Sequence, residues 1–352
     1  MGAGSGDGNE AVIVRERMHS LRNDVFHLIL LPTEQCNFRC TYCYEDFSVG
    51  RMRPGVVDGV KALIGQRLGD LKVLDISWFG GEPLLAADIV EDVSRFVADA
   101  APAHGLRHRG DVTTNGYLLT GAMVERLAGL GVSSFQVSLD GPEHLHDRTR
   151  LRADGRGSFA KLWQNLLTIR HGTWPVTVTL RVHLTPANLP EMPEFLALIR
   201  DTFLADTRFS VHLKAVERLG GPHDKTMDIV DKSTRSHVIA DLREILRTER
   251  RTATTPDAPV CYAARPNSLM IRADGRLGKC TVSLNDPAND LGVLRPDGTL
   301  EFHDGRLAPW LRGWQSGNEN NLACPADGFT LKDDTPDEPV LLQITPAPGR
   351  IR

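Results

Sequence analysis

The chain has 352 residues, 41% hydrophobic and 24% charged, which suits a globular protein with one large core and a small appended domain. Its formal charge of −4 argues against a basic nucleic-acid-binding face. No apolar run approaches the roughly 20 residues that span a bilayer, and Met1 to Asn9 lacks a signal-peptide pattern. A cytoplasmic, reducing setting is therefore expected, with neither membrane nor nucleic acid as partner. There the six cysteines read as metal ligands or buried thiols, not as a disulfide framework.

In chain order, residues 1–23 read as a flexible tail. Strand candidates follow at Val25–Leu31, Val73–Phe79, Asp111–Thr114, Ser134–Leu139, Val176–Leu184 and Phe209–Ala215. Between them, apolar residues recur at helical spacing over Val56–Leu68, Ile89–Ala100, Met123–Leu130, Phe159–Ile169 and Met192–Ile199. Such alternation predicts parallel βα units: an α/β fold, with a partial (βα)6 TIM-like barrel over residues 24–218. Residues 219–257 read as a linker containing a helix at Ser236–Arg247. Asp274-Gly275, between Leu269–Ala273 and Arg276–Cys280, is a hairpin signal and marks a small C-terminal α+β domain over residues 258–330. Residues 331–352 read as a proline-rich tail with a strand-like stretch at Val340–Ile344.

Cys36-Asn37-Phe38-Arg39-Cys40-Thr41-Tyr42-Cys43 follows the first strand, where α/β folds gather ligand chemistry. Three thiolates suit three corners of an iron–sulfur cubane and leave one iron open, which an amino acid's amine and carboxylate can chelate. A zinc knuckle with a remote fourth ligand, or three buried thiols, are the other readings of this spacing.

The CxxxCxxC spacing, with Tyr42 before the last cysteine, resembles the signature of the radical S-adenosylmethionine (radical SAM) superfamily. Gly80-Gly81-Glu82-Pro83 resembles the family's glycine-rich motif, which meets the amino group of S-adenosylmethionine. Asn115-Gly116 resembles its T-N-G segment. Ser138-Leu139-Asp140-Gly141-Pro142, followed by His146 and Arg150, resembles a block of the branch containing sulfatase and peptide maturases. There the serine and arginine approach the cofactor's carboxylate. The resemblance thus implies a [4Fe–4S] cluster on Cys36, Cys40 and Cys43, and S-adenosylmethionine held by Tyr42, Gly80, Gly81, Glu82, Asn115, Ser138 and Arg150. It also implies reductive cleavage of that cofactor to a 5′-deoxyadenosyl radical, which abstracts hydrogen. A flavodoxin- or ferredoxin-type protein would supply the electron.

Cys261, Cys280 and Cys324, around the predicted hairpin, resemble the SPASM/twitch type of extension, which implies a second, auxiliary [4Fe–4S] cluster. Fuller versions carry more cysteines, so Asp327 or a substrate would complete the set. In sulfatase maturases an Asp base follows the hairpin cysteine; Thr281 stands there, which speaks against formylglycine formation. No catalytic acid or base is assigned. The branch implies a ribosomally synthesised peptide as substrate, crosslinked or oxidised. An aminosugar or cyclitol dehydrogenase and a non-catalytic metal-binding module are the alternatives. The segment before Cys36 is shorter than the about 50 residues of an independent domain, so a precursor peptide is expected at the barrel mouth, the C-terminal unit or a separate partner. Arg181 is expected either to face cofactor or substrate or to sit in a structural ion pair. His183 and His212 read as hydrogen-bonded core histidines, Trp310 and Trp314 as packing of the small domain.

Overall fold

The structure, a computed structural model, describes residues 14–221, 223–248 and 260–328, and residues 340–341 as a strand. Helix α1 (residues 14–20) leads into β1 (Val25–Thr33), whose end carries the cysteine loop with the short strand β2 (Phe38–Cys40). Then come α2 (Pro54–Arg67), β3 (Val73–Gly80), α3 (Ala87–His104), β4 (Arg107–Thr114), α4 (Gly121–Ala128) and β5 (Val132–Leu139). They are followed by α5 (Glu143–Thr149), the short β6 (Arg150–Arg152), α6 (Phe159–His171), β7 (Thr177–Leu184), α7 (Met192–Phe203), β8 (Phe209–Ala215) and α8 (Arg235–Ile245). The expected barrel strands and helices are all present.

Strands β1, β3, β4, β5, β7 and β8 pair in that order, every pair parallel. The sheet does not close, because β8 stands at one edge. Alternation along each strand explains the two faces. Leu74, Ile76 and Trp78 on β3, Val178, Leu180 and Val182 on β7, and Val211 and Leu213 on β8 are buried against the helices. Helix α3 answers with Ile89, Val90, Val93 and Val97, spaced so that they fall on one stripe. The opposite face carries Ser77, Asp111, Thr113, Gln136, Thr179, Arg181 and His212, all partly exposed. A concave polar surface results.

The C-terminal unit is not set apart. Its first strand, β9 (Ser268–Ile271), pairs parallel with β1, His27 facing Ser268 and Leu30 facing Ile271. Strands β10 (Arg276–Gly278), β11 (Gly292–Leu294), β12 (Leu300–Phe302) and β13 (Val340–Leu341) continue it antiparallel, giving one sheet of eleven strands. The predicted hairpin is the β9–β10 pair. Helices α9 (Arg312–Ser316) and α10 (Glu319–Ala323) complete the unit. Trp310 and Trp314 pack there, each indole N–H donating to a carbonyl, of Ala288 at 3.0 Å and Ala264 at 2.7 Å.

Two expectations need revision. The tail expected over residues 1–23 is helical at residues 14–20, and the Asn267 amide donates to the carbonyls of His19 and Arg22 at 3.1 and 3.3 Å, which satisfies the open helix end. The tail expected over 331–352 contributes β13 to the sheet; its remaining residues, like all of 249–259, fall outside the described residues. Among the described residues no helix is long and apolar enough to cross a membrane.

Candidate active site

The cysteine loop is anchored from three directions. Strand β2 pairs with β6, setting Cys40 opposite Arg150. Asn115 Nδ2 donates to Asn37 Oδ1 at 2.8 Å and stands 3.9 Å from Cys36 Sγ. Glu34, two residues before Cys36, forms a bidentate ion pair with Arg272 of the β9–β10 turn, at 3.0 and 2.6 Å. Both side chains are only 4% exposed. Arg272 also donates to the Leu284 carbonyl at 2.6 Å, so the C-terminal unit grips the loop through a buried contact.

Gly80 and Gly81 show why that loop needs glycine opposite it. A Cβ on Gly80 would fall 2.3 Å from the Thr33 carbonyl oxygen, and one on Gly81 2.5 Å from that of Gln35. The loop backbone itself makes the close approach. Glu82 departs from its expected role. It is fully buried and accepts from Leu84 N at 3.1 Å, Thr114 Oγ1 at 2.8 Å and Asn115 N at 2.7 Å. Its carboxylate organises the Thr114-Asn115 turn and does not line the cavity.

Cys36, Cys40, Cys43, Tyr42, Gly80, Gly81, Asn115, Ser138 and Arg150 all line one cavity of about 160 Å³ at the carboxyl ends of the parallel strands. Every cofactor residue expected from the sequence except Glu82 is thus brought together. Tyr42 is fixed by polar contacts: its O–H donates to Asp140 Oδ1 at 2.8 Å and accepts from Arg150 Nη1 at 2.6 Å. His183 Nδ1 stands 3.1 Å from both Asp140 and Tyr42. Burial would raise the Asp140 pKa, but the His183 hydrogen bond and the charge of Arg150 hold it well below the carboxylate range. Burial takes His183 down to about 4, so the ring is neutral and donates Nδ1–H to Asp140. Glu45, also in the cavity wall, is pushed up to about 8 by burial and then by Glu34.

The three thiols are free. Burial raises all three pKa values, that of Cys43 to about 12, so they become thiolates near neutral pH only beside a cation such as iron. The Phe38 amide donates to Cys36 Sγ at 3.3 Å, a contact that favours charged sulfur. A zinc knuckle needs thiols converged on one point. Among the described residues no set of three or more His, Cys, Asp or Glu side chains is so gathered. Thiols spread around a cavity fit a multi-iron cluster. The buried Nε atoms of Arg150 and Arg181, both without a hydrogen-bond acceptor, fit an anionic cofactor group.

Cys261, Cys280 and Cys324 lie in one neighbourhood of the C-terminal unit, with Cys324 exposed. Cys261 N donates to Leu322 O at 2.8 Å, tying it to the end of α10, where Cys324 N donates to Asn320 O at 2.8 Å. Asn289 holds the Cys280 turn, accepting from Lys279 N and Cys280 N and donating to Cys280 O at 2.7 Å. Cys261 is close enough to Cys280 and Cys324 for their charges to raise its pKa further, beyond the effect of burial. Lys279 is buried with only the carbonyls of Arg265 and Ser268 on its ammonium, and burial lowers its pKa to about 7. Anionic thiolates beside it would favour its charged form, as the charge of Cys261 already does. Thr281 Oγ1 is bonded to Tyr262 O–H at 2.7 Å.

Sequence reasoning left Asp140, Glu45 and Glu34 without a role. Asp140 stands inside the quoted S-L-D-G-P block and Glu45 two residues after Cys43, so both were within view of the motifs. Arg181 lines the cavity, and no ion pair is found for it among the described residues, which decides its position in favour of the cavity.

A family model described as the radical SAM superfamily matches residues 30–199. A GTP 3′,8-cyclase of Stenotrophomonas maltophilia (strain R551-3) is 32% identical over 199 residues, covering 55% of this chain and 56% of the relative. The sporulation killing factor maturation protein SkfB of Bacillus subtilis (strain 168) is 29% identical over 157 residues, covering 44% of this chain and 35% of SkfB. The chain therefore spans about half of the first relative's length and a third of the second's. Among solved structures, anSMEcpe with bound AdoMet and the Cp18Cys peptide superposes with a TM-score of 0.62 at 18% identity, covering 77% of each chain, a likeness of fold. Residues 30–199, nearly half of the chain, are a radical SAM domain.

Proposed function

We propose that this chain matures a ribosomally synthesised peptide, crosslinking or oxidising it by hydrogen abstraction. In this reading Cys36, Cys40 and Cys43 hold a [4Fe–4S] cluster, and Tyr42, Gly80, Gly81, Asn115, Ser138 and Arg150 form the S-adenosylmethionine pocket, with Glu82 shaping it from behind. When bound, cluster and cofactor supply one-electron reduction and hydrogen-atom abstraction. The chain's own residues do the rest. Arg150 and Ser138 offer a guanidinium and a hydroxyl to a carboxylate. The Tyr42–Asp140–His183 network fixes Arg150, while Asn115 and the Glu34–Arg272 pair fix the cysteine loop. Cys261, Cys280 and Cys324 hold an auxiliary cluster, and a flavodoxin- or ferredoxin-type partner delivers electrons.

The convergence of three free, partly buried thiols with these residues on one cavity carries the reading. The maturation role in the name of SkfB, and the peptide bound by anSMEcpe, support a peptide substrate. The likeness to a GTP 3′,8-cyclase favours a nucleotide as the second reading.

Anaerobic reconstitution tests the proposal. Two cubane clusters require about 8 irons per chain and one requires about 4. The triple Cys→Ala variant at Cys36, Cys40 and Cys43 should keep about 4 irons, with the charge-transfer absorbance of the auxiliary cluster. Reduction with S-adenosylmethionine should yield 5′-deoxyadenosine in the wild type and none in the triple variant. Co-expression with a peptide encoded beside it should change that peptide's mass, whereas GTP consumption would favour the nucleotide. A reconstituted wild type that never forms 5′-deoxyadenosine sinks both readings.

A further inference from the structure

The cavity holds two guanidinium groups in different circumstances. Arg150 is engaged, donating to Tyr42 O–H at 2.6 Å with its guanidinium carbon 5.8 Å from the Phe38 ring centroid. Arg181, on β7, has no hydrogen bond or ion pair among the described residues, and its Nε is buried without an acceptor. It stands directly across the β5–β7 ladder from Ser138, so both side chains emerge on the concave face of the sheet. Burial, and the charge of Arg150 nearby, lower its pKa.

The acidic groups of the same wall do not neutralise it. Glu217 is taken by Lys214 and by Arg235, the latter at 2.6 Å. Glu45 makes no ion pair with it, and one of its oxygens is itself buried and unpartnered. A guanidinium whose buried Nε lacks an acceptor is costly, and an anion brought into the cavity by a ligand would relieve that cost. A planar guanidinium fork matches a carboxylate best.

We propose that Arg181, beside Ser138, forms a second carboxylate-binding site in this cavity, distinct from the one Arg150 offers. The site rests on the reading that S-adenosylmethionine binds here. Its carboxylate comes from an acidic side chain of the substrate, because the single carboxylate of S-adenosylmethionine is the one that Arg150 meets.

The test compares the reconstituted wild type with Arg181→Met in two arms. In the first, calorimetry measures binding of S-adenosylmethionine and of its decarboxylated analogue. A variant that binds S-adenosylmethionine about 10- to 100-fold more weakly and the analogue equally well would put Arg181 on the cofactor's own carboxylate and leave no second site. In the second arm, S-adenosylmethionine is saturating and the probe is glutamate capped at both ends, against capped glutamine. If the substrate supplies the group, capped glutamate raises the melting temperature of the wild type only. That second result establishes the site; a variant matching the wild type there, or one altered only in cofactor binding, overturns it. Without ligands the variant should melt no lower than the wild type, because an unpartnered charge has been removed. A large fall there would reveal an existing partner and also overturn the proposal. A wild type that fails to bind S-adenosylmethionine refutes the cofactor reading itself, and that result needs no variant.

Discussion

Replacing Arg272 with Met should unfasten the cysteine loop from the C-terminal unit. The guanidinium gives two hydrogen bonds to Glu34 and one to the Leu284 carbonyl, and both charged side chains are 4% exposed. Removing one partner of such a pair strands a buried charge and costs about 3–5 kcal/mol. For a domain of this size each kcal/mol moves the melting temperature by about 2–4 °C, so a fall on the order of 10 °C is expected. The double variant Glu34→Leu/Arg272→Met removes both charges and should recover at least half of that fall, since a well-packed apolar replacement of a buried pair is often neutral. Thermal melts of wild type, both single variants and the double variant measure it. An Arg272→Met protein melting within about 2 °C of the wild type, or a double variant melting below both singles, would refute the reasoning.

Acid should destabilise the fold through three histidines. Burial holds His27, His146 and His183 at about 4 against an ordinary value of 6.5. Their folded pKa values are depressed, so the stability tied to their neutral forms is present above pH 6.5 and lost as pH falls toward 4. The loss is about 1.4 kcal/mol per pH unit for each ring. Urea midpoints between pH 7 and pH 4.5 should fall steeply, and less steeply in His146→Gln; a flat profile contradicts the burial argument. Gly81→Ala should destabilise by about 1–3 kcal/mol, because its Cβ would meet the Gln35 carbonyl oxygen at 2.5 Å. Gly69→Ala, with nothing within 4 Å, is the control; equal melting temperatures would dismiss the close-approach argument.

Regular alternation made the fold legible. Phe209–Ala215 was readable at both ends because every second residue is apolar and buried. The pattern of β4 shows only from Asp111, because Arg107, His108 and Arg109 open it with three charged or polar residues that hide its period. Strands β2 and β6 were invisible. Each has three residues, too few for a pattern, and exists because the cysteine loop folds back onto the segment carrying Arg150. Motifs located the cavity but not every role in it. The glycine-rich motif announces a carboxylate at Glu82 without saying that Thr114 and two backbone amides will consume it. Glu34 and Arg272 are 238 positions apart, and no local signal joins them. Their meeting follows from β9 pairing with β1, a long-range event that the local sequence does not encode.

That pairing also fixes where the two sets of thiols stand. Strands β1 and β9 are parallel, so the loops at their carboxyl ends meet, and there Glu34 finds Arg272 beside the first cysteine set. Cys261 precedes β9, and β10 runs antiparallel back toward the start of β9 before reaching Cys280. The second set therefore belongs to the opposite end of the same strand pair, which the contact of Tyr262 with His27 near the start of β1 also marks. Five or six residues of strand at about 3.3 Å each put the two sets on the order of 15–20 Å apart. Between them lie Ile29, Leu31 and Met270, with Tyr44 and Tyr262 packed alongside. In the proposed reading the two clusters would thus stand at opposite ends of one strand pair, with the S-adenosylmethionine pocket at one of them. Sheet continuity alone would impose that order, whatever the bond being made.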